Sequence, residues 1–316
     1  MSSTQYSIVT ENLSRVYKTY SKKEGVLNSL KGLFNREYVE KVALKNVNLQ
    51  IEPGKIIGLV GSNGAGKTTL LKILSGLIYP STETAKVLGF DPWERDNAFL
   101  KQVSILLGQK NQLWWDITAR DSYALLAKIY DLDDTAARKQ VNHLAELLKC
   151  THALDTQLRR LSLGERMKME IIGSLLHQPK VLFLDEPTIG LDILAQTTIR
   201  DFLDEYVKEF QPTIILTSHY MDDIAQLADQ LLLISQGEIV YNGTVDHFTH
   251  ISDVKKKLRY RLNHSSEEKE LLFNAPELSQ VIKAISSEGE IADLKVEEVD
   301  FEDVIHQFLA KEPGTF

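Results

Sequence analysis

The chain has 316 residues, of which 43% are hydrophobic and 25% are charged, so it is a folded protein and not a collagenous, low-complexity or disordered one. Its formal net charge of −8 argues against nucleic acid as a partner. The single cysteine, Cys150, excludes an internal disulfide framework and a multi-cysteine zinc site, and no apolar run approaches the roughly 18 residues that span a bilayer.

The first two apolar segments alternate between apolar and polar residues. Ser7–Leu13 and Val42–Ile51 have the period of strands with one buried face, and Pro53-Gly54 then supplies a tight turn. We predict that the two segments form an antiparallel flap. Between them, Ser21–Lys41 has an apolar face and several basic residues. This pattern is typical of a helix on an anionic membrane surface or a partner, or of a helix packed on its own domain.

Five short apolar runs without alternation follow, and they predict strands that are buried on both faces. Because helical patterns separate the runs, we expect a parallel sheet with right-handed crossovers, interrupted by a mostly helical stretch at about 111–177. Gln236-Gly237 and Asn242-Gly243 are turn dipeptides expected to close this core. The runs are Ile56–Val60, Val103–Leu107, Val181–Leu184, Thr213–Thr217 and Leu231–Ile234.

A glycine-rich loop follows the first buried run. Gly61-Ser62-Asn63-Gly64-Ala65-Gly66-Lys67-Thr68 fits the pattern G-x-x-x-x-G-K-[ST] and precedes an apolar helix predicted over Leu70–Leu77. Such glycines let successive backbone N–H groups point at phosphates, and the helix N-terminus adds a partial positive charge. Lys67 is expected to contact the β- and γ-phosphates, and the Thr68 hydroxyl to bind Mg²⁺. The sequence therefore predicts a nucleoside triphosphate site, with Thr69 as a further contact.

The third buried run leads into two carboxylates, Asp185 and Glu186. Ligands of a parallel sheet collect at the carboxyl ends of its strands, so both acids are expected beside the glycine-rich loop. Asp185 is predicted to contribute to the Mg²⁺ site, and Glu186 to orient or deprotonate the water that attacks the γ-phosphate. Without the loop in the same chain, a turn acid that caps the next helix would be favoured.

These motifs and their order resemble the ATP-binding-cassette (ABC) ATPase family over about residues 6–245. The resemblance implies an α/β P-loop NTPase fold: a RecA-like parallel sheet core, an antiparallel β flap and a helical subdomain at about 111–177. Residues 246–316 would then be a small α+β C-terminal extension with an accessory or regulatory role. Within them, 270–312 suggest strand, helix, strand, helix.

The resemblance implies ATP and Mg²⁺ as cofactors and assigns further contacts to them. Tyr17 resembles the aromatic residue that stacks on adenine, with Tyr20 as a rival for that role. Gln109 is similar to the Q-loop glutamine, which reaches Mg²⁺ and the attacking water. Asp192 is similar to the D-loop aspartate, and His219 to the switch histidine that contacts the γ-phosphate.

The segment Leu161-Ser162-Leu163-Gly164-Glu165 lies where the family has Leu-Ser-Gly-Gly-Gln, so it departs at Leu163 and Glu165. From the residues alone, Ser162 and Glu165 predict a capping box that opens a helix. In the family, Ser162 and Gly164 of this signature face the γ-phosphate held by the other subunit. The resemblance therefore implies a head-to-tail homodimer, or a dimer with a related cassette. Glu165 brings negative charge to that contact, so we expect weaker closure than a glutamine would give.

The resemblance implies an Mg²⁺-dependent ATPase subunit of an ABC transporter, peripheral on the cytoplasmic face of the cell membrane. Its integral membrane permease subunits would be separate polypeptides that dock near Gln109–Thr118. Adjacent Trp114 and Trp115 are either anchors for that contact or core residues. The motifs are most similar to those of ABC-2-type exporters. The alternatives are a soluble ABC regulator or assembly factor without a membrane partner, and a metabolic kinase, which needs no signature in this order.

Overall fold

The computed structural model describes residues 5–20, 38–82, 85–108, 110–251, 256–263, 268–273, 277–297, 304–305 and 308. The chain divides into two compact units, Met1–Asn242 and Gly243–Phe316. Within these described ranges, no helix is both long and apolar enough to cross a bilayer.

The secondary-structure elements are numbered in chain order. The strands are β1 (Ile8–Tyr20), β2 (Tyr38–Ile51), β3 (Ile56–Val60), β4 (Ala85–Val87), β5 (Val103–Leu107), β6 (Val181–Asp185), β7 (Thr213–Thr217), β8 (Gln230–Ser235), β9 (Glu238–Gly243), β10 (Lys256–Leu262), β11 (Glu268–Phe273) and β12 (Ile291–Glu297). The helices are α1 (Lys67–Leu74), α2 (Asn97–Leu100), α3 (Ala119–Ile129), α4 (Asp134–Leu147), α5 (Leu163–Leu175), α6 (Ile193–Phe210), α7 (Met221–Leu227), α8 (Val245–Ile251) and α9 (Leu278–Glu288).

The flap is a three-stranded antiparallel sheet in the order β2-β1-β4. Its two long strands extend beyond the predicted segments, because pairing continues to the Tyr20–Tyr38 pair. Residues 38–41 belong to β2, so the C-terminal end of the helix predicted over Ser21–Lys41 is wrong. The rest of that predicted helix, 21–37, lies outside the described residues. Strand β4 was not predicted, because three residues are too few to show a period.

The core sheet has the order β5-β6-β7-β3-β8-β9. Its first five strands are parallel, as predicted, and every residue of β3, β6 and β7 is buried. Strand β9 follows β8 through the Gln236-Gly237 turn, a connection that only antiparallel neighbours allow. The predicted turn at Asn242-Gly243 is wrong, since both residues end β9. This strand is largely half-buried and carries polar residues, so it lacks the uninterrupted apolar run of the others.

Helix α1 begins at Lys67, three residues before the predicted helix, because the end of the glycine-rich loop is already helical. Its buried face, which includes Leu70, Leu71 and Leu74, packs into the core beneath the sheet. The interval 111–177 contains α3, α4 and α5 with two 3₁₀ turns between the last two helices. Strand β3 and helix α1 thus bring the loop between them to the carboxyl edge of the sheet.

The second unit contains an antiparallel sheet in the order β11-β10-β12 with helix α9 against it. Its core is formed by apolar residues of one sheet face and of the helix: Leu258, Tyr260, Leu262, Phe273 and Ile285. The sequence predicted the strand, helix and strand that form β11, α9 and β12, while most of the residues of the second helix predicted before 312 lie outside the described ones. It missed the central strand β10, where Lys257, Arg259 and Arg261 alternate with the buried residues.

Candidate functional site

The start of helix α1 is open to an anion. Gly66 occupies the N-cap position, no side chain caps the helix, and the first turn contains no acidic residue. The N–H groups and the partial positive charge of the helix end are therefore available to a ligand. The φ angle of Gly66 is +116°, and a Cβ there would lie 2.6 Å from the carbonyl oxygen of Ala43. Only glycine fits this turn.

The loop folds around the side chain of Lys67. The Lys67 Nζ donates hydrogen bonds to the carbonyl oxygens of Gly61, at 2.7 Å, and Ser62, at 3.3 Å. Burial lowers the pKa of Lys67, while the nearby charges of Glu186 and Asp185 act in the opposite direction. A cation thus lies inside a loop of backbone amides, which is an arrangement suited to a polyphosphate.

Asp185 connects the loop to two strands of the sheet. Its Oδ2 accepts a hydrogen bond from Thr68 Oγ1 at 2.9 Å, and its Oδ1 accepts one from Thr217 Oγ1 at 2.9 Å. The end of β6 therefore lies beside the loop, where the sequence placed it. A hydroxyl and a carboxylate are the oxygen donors that Mg²⁺ prefers, so the pair Thr68 and Asp185 fits this ion.

Glu186 is held in an unusual backbone conformation. Its φ angle is +57°, in the left-handed region that costs a non-glycine residue energy and is common at functional sites. Its N–H group donates to the carbonyl oxygen and to the hydroxyl of Thr217, at 3.1 and 3.0 Å. Its Oε1 lies 2.9 Å from Nε2 of His219. The backbone therefore fixes Glu186 between two strand ends, with its carboxylate paired with the histidine.

Gly108 makes room for that conformation. Its N–H donates to the carbonyl oxygen of Asp185 at 2.8 Å. A Cβ at Gly108 would lie 2.4 Å from the carbonyl oxygen of Glu186 and 2.8 Å from that of Asp185. The ends of β5 and β6 can thus approach closely only because residue 108 has no side chain.

A cavity of about 390 Å³ lies over the loop. The guanidinium group of Arg15 lies 4.6 Å from the ring centroid of Tyr17, which is one of the lining residues. The side chain of the rival Tyr20 is outside the described part of the structure. The cavity is lined by Tyr17, Lys41, Ala43, Asn63, Gly64, Gly66, Lys67, Thr68, Thr69 and Glu186.

The predicted capping box is present at the start of α5. The Ser162 Oγ accepts a hydrogen bond from the Glu165 N–H at 3.3 Å, while the Ser162 N–H and hydroxyl donate to Glu165 Oε2 at 3.0 and 2.8 Å. His152 Nε2 lies 3.1 Å from the other carboxylate oxygen. The hydrogen bonds from Ser162, and then the one from His152, hold the pKa of Glu165 below its usual value.

The start of α6 lies beside the start of α5. Asp192 caps α6 by accepting a hydrogen bond from the Ala195 N–H at 2.9 Å. A Cβ at Gly164 would lie 3.1 Å from the Cβ of Ala195, so the two helix ends touch. The described residues that line the cavity over the loop do not include Ser162, Gly164, Glu165 or Asp192. The candidate site residues of one chain therefore form two separate groups.

The segment after β5 presents two tryptophans to solvent. The side chains of Trp114 and Trp115 are each 42% exposed, so the interpretation of either as a core residue is wrong. Buried Glu170 of α5 accepts hydrogen bonds from the N–H groups of Gln112 and Leu113 at 3.0 to 3.3 Å, which fixes the segment to that helix. Gln109 itself lies outside the described residues.

Sequence reasoning missed two residues that shape the site, Thr217 and Gly108. Both stand at the carboxyl end of a strand that was predicted, Thr217 as the last residue of β7 and Gly108 directly after β5. A polar residue or a glycine at such a strand end is a signal that the prediction did not use.

The site lies within the part of the chain that matches known proteins. Residues 44–189 match the family described as ABC transporter. The ABC transporter ATP-binding protein NatA of Bacillus subtilis is 31% identical over 204 residues, which cover 65% of this chain and 82% of that protein. The doxorubicin resistance ATP-binding protein DrrA of Mycobacterium tuberculosis is 32% identical over 225 residues, which cover 71% of this chain and 67% of that protein.

A solved structure also shares the fold. It is a dimeric structure of an ATP-binding cassette in a post-hydrolysis state, bound to ADP and Pi. The TM-score is 0.62 at 21% identity, over 75% of this chain and 98% of that chain. The α/β P-loop NTPase fold predicted from the sequence is thereby confirmed.

Proposed function

Because the chain belongs to the family of ABC transporter ATP-binding proteins, we propose that it hydrolyses Mg²⁺-ATP to drive export by separate membrane subunits. The observation that carries this proposal is the meeting of Lys67, Thr68, Asp185 and Glu186 at one edge of the core sheet. This edge supplies a phosphate-binding loop, oxygen donors for a metal ion and a candidate base.

The chemistry follows from these positions. Lys67 and the N–H groups at the start of α1 bind the phosphates and stabilise the charge that develops on them. Thr68 and Asp185 would hold Mg²⁺, which, when bound, would offset the negative charge of the phosphates. Glu186 accepts a proton from the attacking water, and His219 orients this carboxylate and reaches the γ-phosphate. Gln109 is proposed to contact the same water and the ion.

A second chain completes each site in this proposal. The group at the starts of α5 and α6 includes Ser162 and Asp192 and does not line the chain's own cavity. Beside it, Leu163, Ile193 and Leu194 are 43%, 81% and 78% exposed, an apolar surface that a partner would cover. Two copies placed head to tail would bring each Ser162 helix end to the other copy's phosphates.

The membrane subunits are proposed to dock beside the segment that follows β5. Exposed Trp114 and Trp115 are suited to anchor an apolar partner element. A neighbouring cavity of about 490 Å³ is lined in part by Leu77, Ile129 and Tyr130. Polar residues, among them Arg95, Lys101 and Gln112, line other parts of it, so the cavity offers both apolar and polar contacts to a partner. The protein would thus lie on the cytoplasmic face of the membrane without crossing it.

Export is proposed as the direction of transport. The relative DrrA of Mycobacterium tuberculosis is named for doxorubicin resistance, and the bacitracin transport ATP-binding protein BcrA of Bacillus licheniformis is 28% identical over 73% of this chain. Outward movement of a toxic compound is one way in which a transporter confers resistance to it. The cargo itself is selected by chains other than this one.

The ATPase part of the proposal is tested with Glu186→Gln. We expect turnover to fall by about 10² to 10⁴ while ATP affinity is retained, because the substitution removes the base and leaves the phosphate contacts. The measurement is phosphate release, with nucleotide binding by calorimetry. Turnover close to that of the wild type would refute the role of Glu186.

The docking part is tested by co-purification from solubilised membranes. Trp114→Ala and Trp115→Ala should reduce the yield of a multi-span membrane protein, since each removes a large apolar contact. Leu271→Ala, at a similarly exposed residue of the second unit, is the matched control. Consistent absence of a membrane protein from the wild-type preparation would favour a soluble ABC regulator instead.

A further inference from the structure

Outside the residues that surround the phosphate loop, one buried carboxylate has contacts on both sides of the candidate reaction centre. Asp223 in helix α7 is 2% exposed. Its Oδ2 accepts a hydrogen bond from Thr188 Oγ1 at 2.8 Å and another from Ser218 Oγ at 2.9 Å. Both donors are buried, at 3% and 5% exposure.

The two hydroxyl groups belong to the segments that carry Glu186 and His219. Thr188 follows Glu186 by two positions, and Ser218 directly precedes His219. A single carboxylate oxygen thus joins the two segments next to the 2.9 Å contact between Glu186 and His219. The Ser218 hydroxyl also accepts a hydrogen bond from the Tyr220 N–H at 3.0 Å, which fixes the turn that presents the histidine.

The other oxygen of Asp223 is held by Arg200 of helix α6. The Nε and Nη2 atoms of Arg200 donate to Asp223 Oδ1 at 3.1 and 2.7 Å, and Nη1 donates to Gln226 at 3.1 Å. The side chain of Arg200 is only 16% exposed. Helix α6 begins after Asp192, so the same carboxylate is linked to the helix that starts at the candidate dimer surface.

We propose that Asp223 is a positioning residue: through Thr188 and Ser218 it sets the relative placement of Glu186 and His219 for hydrolysis. This inference rests on the proposed function and names a residue that acts on the same site without touching the nucleotide. A charged acceptor makes strong hydrogen bonds in a buried setting, and a displacement of about 1 Å in a catalytic group costs on the order of 10² in rate.

The test removes one arm of the network at a time. Thr188→Val keeps the shape of the side chain and deletes only its hydroxyl, and Ser218→Ala deletes the other donor. Each should lower kcat about 10-fold and leave the KM for ATP within about twofold, because the phosphate contacts remain. The double variant should lose less than the product of the single effects, since both act through one carboxylate.

The matched control is Thr198→Val. The Thr198 hydroxyl is buried to a similar degree and donates to the carbonyl oxygen of Leu194 at 2.8 Å, in the same helix as Arg200. Its removal should lower the melting temperature to a similar extent and leave kcat unchanged. Asp223→Asn should lower kcat at least as much as either hydroxyl variant. Because it leaves Arg200 buried without its charge partner, its folding is checked by thermal unfolding, and the hydroxyl variants decide the question if it does not fold.

If Thr188→Val and Ser218→Ala keep the wild-type kcat while Glu186→Gln loses turnover, the role of Asp223 is refuted and the proposed function is not. A fall in kcat of the same size in Thr198→Val would also refute the role of Asp223, since the effect would then follow stability and not position. Unchanged turnover in Glu186→Gln would instead count against the proposed function.

Discussion

The acidic residue in the signature segment gives a prediction with two opposite effects. In Glu165→Gln, one carbonyl oxygen can still accept the hydrogen bond from the Ser162 N–H, because glutamine also serves in a capping box. The negative charge in the first turn of α5 is lost, together with the charged partner of His152. We expect this to cost about 1 kcal/mol of unfolding free energy, at the upper end of a charge–helix interaction.

The same change should strengthen ATP-driven dimerisation. In the proposed dimer, Glu165 lies near the partner's triphosphate, whose net charge with Mg²⁺ is about −2. Two unit charges of the same sign about 10 Å apart in water repel by about 0.4 kcal/mol. Glu165 carries one such charge and the triphosphate with Mg²⁺ about two, so removal of the Glu165 charge should relieve about 0.8 kcal/mol of repulsion at each site. Two sites give about 1.6 kcal/mol, which is roughly a 10-fold lower dissociation constant for the dimer.

The assay is sedimentation of Glu165→Gln with ATP, in a Glu186→Gln background that prevents turnover. The gain should shrink at high ionic strength, since exposed charges are screened. Asp121→Asn is the matched control: Asp121 lies in the first turn of α3 and contacts its N-cap Thr118 at 2.7 and 3.1 Å, away from the candidate dimer surface. It should lose similar stability without a change in dimerisation. Equal or weaker ATP-driven dimerisation in Glu165→Gln would refute the charge argument.

Three further predictions concern the site and its supports. Hydrogen bonds from Ser162 lower the pKa of Glu165 in the folded protein. The Glu165 carboxylate therefore stabilises the fold above the ordinary pKa of glutamate, and this stabilisation is lost as the pH falls through the lowered folded-state pKa. The difference in melting temperature between the wild type and Glu165→Gln should accordingly shrink from about pH 7 to about pH 3. Gly108→Ala should destabilise the protein by about 2 kcal/mol or more and abolish turnover, because the added Cβ would overlap the carbonyl oxygen of Glu186. An unchanged melting temperature and unchanged phosphate release would contradict this close approach. Tyr17→Ala should weaken ATP binding by about 1 to 3 kcal/mol in calorimetry if the ring stacks on adenine, and equal affinity would exclude that contact.

The core sheet could be predicted from the sequence because its central strands are buried on both faces. Ile56–Val60 and Thr213–Thr217 are uninterrupted apolar runs, and the structure gives them the same bounds. Strand β9 was missed because it has only three apolar residues in a row and ends in the turn-forming pair Asn242-Gly243, and β10 was missed because basic residues alternate with its apolar ones. Their pairing is decided by neighbours that are distant in the chain, which a local pattern does not contain.

The site was predicted where one short segment carries the whole pattern. The phosphate loop is such a segment, and the pair Asp185 and Glu186 needed only the rule that ligands collect at strand ends. The bonds from Thr217 to Asp185 and from Thr188 to Asp223 could not be predicted, because each joins residues that are about 30 or more positions apart in the chain and adjacent only in the folded protein. The structure gives the positions of the described site residues, and the roles assigned to them stay predictions, those of Lys67, Asp185 and Glu186 included.

The hydrogen bonds around Asp185 also bear on the order in which ligands arrive. The two groups proposed to hold Mg²⁺ are bonded to each other, since the Thr68 hydroxyl donates to the Asp185 carboxylate at 2.9 Å, and together they offer an ion few oxygen donors. A magnesium ion needs about six oxygen neighbours and gives up its water reluctantly. Free cation should therefore leave the melting temperature of the nucleotide-free protein unchanged, and metal and nucleotide should enter together as one complex.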